Sequence, residues 1–66
     1  MWYKSKSNWF FYIDDQDRVW KCWDDGAFTM SRLDAECVAG ICDRIEAPSF
    51  ASEVLRGIDT VMHAFA

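Results

Sequence analysis

The 66-residue chain predicts an α+β fold in a single domain, residues 1–66. The expected architecture is a two- or three-stranded antiparallel sheet followed by two antiparallel amphipathic helices packed on one of its faces. Three observations carry this. Two aromatic runs, Trp9–Tyr12 and Trp20–Trp23, flank the polar segment Asp14-Asp15-Gln16-Asp17. After Met30 the apolar spacing changes from the alternation of a strand to the period of about 3.6 residues that marks a helix. The segment Ala47-Pro48-Ser49 then divides this second half in two, because the residue before a proline avoids helical angles.

Composition sets the bounds. A chain of this size buries only about 60% of the surface of its unfolded form, so it needs a dense core. It has the material for one, at 52% hydrophobic and 17% aromatic residues, and this excludes intrinsic disorder. The aromatics are unevenly placed: all but Phe50 and Phe65 lie in the first 28 residues.

The elements follow in order. Residues 1–7 are undetermined: Trp2 and Tyr3 either extend the sheet or pack as an arm, and Ser5-Lys6-Ser7-Asn8 reads as a turn. Residues 9–14 are β-formers up to the first Asp and make the first strand. Asp14 to Asp17 form the turn, since Asp tolerates left-handed angles and its carboxylate accepts from a backbone N–H two residues on. Residues 18–24 return as the antiparallel neighbour, Asp24-Asp25-Gly26 is a second turn, and 27–29 is a short third strand. Alternation sends Trp9, Phe11 and Ile13 to one face and Phe10 and Tyr12 to the other. In the next strand Val19, Lys21 and Trp23 oppose Trp20 and Cys22.

The first helix is expected over 32–46. Ser31-Arg32-Leu33-Asp34 resembles a capping box, with Asp at its fourth position. Leu33, Cys37, Val38, Ile41, Cys42 and Ile45 form one helical stripe. Gly40, which costs about 1 kcal/mol relative to Ala in a helix, suggests a close approach by a neighbouring element. The second helix is expected over 50–65, capped by Ser49, with Phe50, Val54, Ile58, Val61, Met62 and Phe65 as its stripe. A short connection makes the two helices antiparallel neighbours.

Chemistry is hard to find. Cys22, Cys37, Cys42 and His63 are a permitted zinc set, but Cys37 and Cys42 lie five residues apart on a predicted helix and diverge by roughly 140°. They fit an apolar stripe better, so no metal is expected. Nucleophilic catalysis needs a base beside the nucleophile, and the one histidine is near the C-terminus. Asp14, Asp15 and Asp17 lack the rest of a calcium loop. No catalytic residue and no cofactor is expected: the chain reads as a non-enzyme. The odd cysteine count and the lack of a signal-peptide-like apolar stretch point to the cytoplasm and to no membrane association.

The net charge of −4 is concentrated. Residues 14–46 alone carry −5, from Asp14, Asp15, Asp17, Asp24, Asp25, Asp34, Glu36, Asp43 and Glu46 against four basic side chains. Such a surface repels nucleic-acid phosphates and attracts a basic protein surface, so direct nucleic-acid binding is not expected. These nine acids are the candidate partner-binding groups, the alternative being ordinary solvated surface. Phe10, Tyr12 and Trp23 are the candidate aromatic contacts, because helices on one face leave the other uncovered. In size, charge and acid placement the chain resembles the small acidic inhibitors that phages make against bacterial defence, anti-CRISPR proteins among them. The resemblance implies an inhibitor in a host bacterial cytoplasm, and a monomer or a homodimer is expected. It would use a DNA-mimicking acidic surface to block the DNA-binding site of a CRISPR effector or similar complex. The competing expectation is a homo-oligomeric or adaptor module that uses an aromatic sheet face.

Overall fold

Both faces of the aromatic hairpin need cover, and the chain supplies one helix to each. The computed structural model describes residues 1–64, with strands β1 (Trp2–Lys4), β2 (Phe10–Ile13), β3 (Val19–Cys22) and β4 (Phe28–Met30), helix α1 (Ala35–Ile41), strand β5 (Asp43–Ile45) and helix α2 (Ala51–Ala64). The five strands form one antiparallel sheet in the order β4-β3-β2-β1-β5. The α+β class and the central hairpin are as the sequence predicts. The sheet has more strands than the two or three expected.

The added strands come from both ends of the hairpin. Trp2 and Tyr3, with 5% and 8% of their surface exposed, belong to a strand rather than an arm. A tight turn at Ser5–Asn8 returns β1 to β2, closed by Ser5 N–H donating to Trp9 O at 2.8 Å, with Asn8 in the left-handed region at φ 66°. Asp17 (φ 61°) and Gly26 (φ 90°) reverse the chain at the next two turns in the same way.

The predicted first helix is corrected most. It spans seven residues, not fifteen, and the capping box does not form. Ser31 Oγ accepts from Leu33 N–H instead, and Asp34 stands at the N-cap without a side-chain bond. Of the expected stripe only Val38 and Cys42 are buried, while Leu33, Cys37 and Ile41 are exposed. Asp43-Arg44-Ile45 leaves the helix because the outer edge of β1 offers a ladder to pair with: Trp2 faces Ile45, Tyr3 faces Arg44 and Lys4 faces Asp43. Opposite charges at the last of these pairs favour that register.

This edge strand also overturns the expectation that both helices share a face. Cys42 and Val38 pack with Tyr3, Phe11, Ile13 and Val19 on one side of the sheet. Phe50, Ala51, Val54 and Ile58 pack with Trp2, Trp20 and Cys22 on the other, joined by Phe10, Tyr12, Phe28 and Ile45. The α2 layer is a lattice of edge-on aromatics, with Phe50 against Phe10 at 4.9 Å and against Trp2 at 6.0 Å. The expected end of the second helix at Phe65 lies outside the described residues.

The glycines separate packing from propensity. A Cβ on Gly57 would overlap the Phe28 ring, so this glycine lets α2 lie close over β4. Gly40, contrary to expectation, faces open space. Gly57→Ala should therefore lower unfolding free energy by about 1–2 kcal/mol net of the helix-propensity gain. Gly40→Ala should raise it by about 0.5–1 kcal/mol. Urea denaturation of both variants checks the opposite signs.

Candidate functional site

The nine candidate acids do not make one continuous face. Successive hairpin turns lie at opposite ends of a sheet, so Asp14, Asp15 and Asp17 are separated from Asp24 and Asp25 by the length of β3. The second pair sits near Glu53, since a Cβ on Gly26 would meet Glu53 Oε2 at 2.7 Å. Asp43 lies on the edge strand across from Lys4, with Glu46 just beyond it.

One of the nine is committed to the fold. The Asp14 carboxylate accepts from Gln16 N–H and Arg18 N–H at 2.9 Å each, from Arg18 Nε at 2.7 Å and from Trp20 Nε1 at 3.1 Å. Only 8% of its side-chain surface is exposed. Burial by itself pushes its pKa up, but the bonds from Arg18, Trp20 and Gln16 outweigh burial and hold it below the ordinary aspartate value. Asp14 thus sets the turn and anchors the buried Trp20 ring.

The acids next to it remain free, and others join them. Asp17 shares a shallow depression with Leu33, Asp34, Ala35 and Glu36, and an adjoining one with Asp14 and Asp15. The turn between β2 and β3 therefore meets the start of α1, bringing exposed Asp15, Asp17, Asp34 and Glu36 to one end of the molecule. Tyr12 reaches toward this end too: burial first, then the charges of Asp14 and Asp15, raise its phenol pKa. Among the described residues the ion pairs are Arg18–Asp14 and His63–Asp59, so none of the four gathered acids is held in one, while the Met1 ammonium, which donates to Ile13 O at 2.8 Å, lines depressions it shares with Asp15, Asp17 and Glu36.

The aromatic candidates divide differently from expectation. Phe10 and Tyr12 are half-buried under α2. Trp23 lies on the opposite face with Trp9, which is 42% exposed and was not among the candidates. Their rings meet edge to face at 6.4 Å, and Lys21 Nζ stands 3.6 Å from the Trp9 centroid and 5.5 Å from that of Trp23. Alternation already places Lys21 and Trp23 on one face. The β2–β3 register, with Phe11 opposite Lys21, is what brings Trp9 to them.

The cysteines do not converge. Cys22 is in the core under α2, Cys42 is in the core under α1, and Cys37 is exposed. Burial pushes the Cys22 thiol up to about 12 and raises that of Cys42 as well, which suits small apolar fillers rather than nucleophiles. Among the described residues no group of three or more metal-binding side chains is assembled, and no helix is long and apolar enough to cross a membrane. Comparison of the chain with protein-family models, with curated proteins and with solved structures gives no match.

Loss of the Asp14 carboxylate should be felt throughout the hairpin. Asp14→Ala is expected to destabilise the protein by about 2–3 kcal/mol, because it strands the buried Trp20 N–H and frees Arg18. Since folding depresses this pKa, the Asp14 contribution is complete above the unfolded aspartate value of about 3.9 and is lost as pH falls through the lower folded value. Urea melts from pH 6 down to about pH 2 should show that loss in the wild type and a flatter profile in the variant.

Proposed function

We propose that this chain is a binding domain with no chemistry of its own, an inhibitor that docks on a basic surface of a nucleic-acid-handling complex and keeps nucleic acid out. An anti-CRISPR protein acting on a CRISPR effector is the form of this reading that the chain's size and acidity favour. The observation that carries it is the gathering of Asp15, Asp17, Asp34 and Glu36 at one end, none of them held in an ion pair among the described residues. Four exposed carboxylates outnumber the single Met1 ammonium beside them, and the net negative potential steers a basic partner and lowers its dissociation. Asp24 and Asp25 at the far end belong to a second, separate patch, so the acidic end alone is the proposed contact.

The test uses a near-isosteric variant, Asp15→Asn, Asp17→Asn, Asp34→Asn and Glu36→Gln together. Asn tolerates the left-handed backbone at position 17 as Asp does. Affinity for the partner captured from a bacterial host lysate should fall about tenfold or more in the variant, and wild-type binding should weaken as salt is raised. Equal affinity of both proteins for that partner would refute this reading.

A second reading, self-association, is favoured by Cys37 and Ile41 on α1 and Leu33 just before it, all three exposed. It predicts a dimer by light scattering that Ile41→Lys returns to monomer.

A further inference from the structure

The seven residues of α1 reach only part of the face they cover. Tyr3, Phe11, Ile13 and Val19 lie beneath them, and the far corner of that face carries Trp9, Lys21 and Trp23 instead. Two indole rings at 88° to each other make an open, two-walled clamp, and a cation already stands in it. The Lys21 stem is fixed by the pleat of β3, where it pairs with Phe11 on one side and Thr29 on the other. The ring faces carry negative charge density and attract an ammonium group placed over them. This corner is at the opposite end of the sheet from the gathered acids, so the two sites stand or fall separately.

We propose that the Trp9–Trp23 clamp is a binding site for a trimethylated lysine side chain of a protein partner, with Lys21 as its built-in competitor. The tethered ammonium sets the selectivity. A plain lysine has the same strongly hydrated head as Lys21 and must compete with a group already held at high local concentration. A quaternary ammonium has no N–H groups to keep solvated and gains more from the indole faces, so it displaces Lys21 where a primary amine does not. A choline headgroup shares this chemistry but carries a phosphate, which Asp24 and Asp25, directly after Trp23, repel.

Indole N–H resonances of the ¹⁵N-labelled protein test this, because Trp2 and Trp20 are buried and serve as internal controls. Free Nε-trimethyllysine should shift the Trp9 and Trp23 signals and leave the other two in place. Its apparent Kd should be lower by about fivefold or more in Lys21→Thr, a substitution suited to a strand. Lysine and phosphocholine should each bind at least about fivefold more weakly than trimethyllysine. Unmoved Trp9 and Trp23 signals up to ~100 mM trimethyllysine would overturn the proposal, as would equal binding of lysine or of phosphocholine. Should Lys21→Thr lose its dispersed spectrum, the comparison of the three ligands on the wild-type protein decides by the same criteria.

Discussion

The pairing of β5 with β1 is the constraint on which the rest of this fold depends. A hairpin with large side chains on both faces needs a cover on each, and a short chain has little length for a crossing. Three residues on the sheet edge provide it. Cys42 still belongs to the layer under α1, and Ile45 already packs with the layer under α2. The same residues occupy the backbone groups of β1 that an open edge would expose to other chains.

The shortness of α1 follows from that crossing and shapes both candidate surfaces. Because the chain leaves the helix at Cys42 to join the sheet, α1 stays short, and Trp9 and Trp23 lie outside the buried layer it covers. Because it begins only at Ala35, the residues before it form an irregular segment that brings Asp34 and Glu36 beside Asp17. Asp14 completes this end from inside, using its own charge to fix the turn that presents Asp15 and Asp17. One carboxylate is structural, and its neighbours in sequence are free.

What the sequence disclosed was what local chemistry decides. Aromatic runs around an Asp-rich turn specify a hairpin, Phe28 and Thr29 after Asp25-Gly26 continue it, and the spacing from Phe50 to Met62 specifies the second helix. The strands it hid are those whose partners are remote. Trp2–Lys4 is too short to show alternation, and Asp43–Ile45 follows directly on Cys42, whose spacing of three from Ile45 also suits a helix. Only the ladder from Trp2 to Ile45 resolves that ambiguity, and it spans most of the chain. The site residues follow the same division. Alternation separates the two faces correctly but cannot say that each receives its own helix or that the shorter one leaves Trp9 exposed, so it points to Phe10 and Tyr12 instead. The acids were all visible, and their grouping was not, because it depends on where a shortened helix begins.

The sheet also separates two thiols that no disulfide can join while it is intact. Cys22 looks toward α2 and Cys42 toward α1, each protonated and shielded by its own helix. Each sulfur therefore becomes reactive only when its own layer lifts. The chain carries a separate chemical timer for the opening of either side, able to distinguish a molecule that sheds one helix from one that unfolds as a whole.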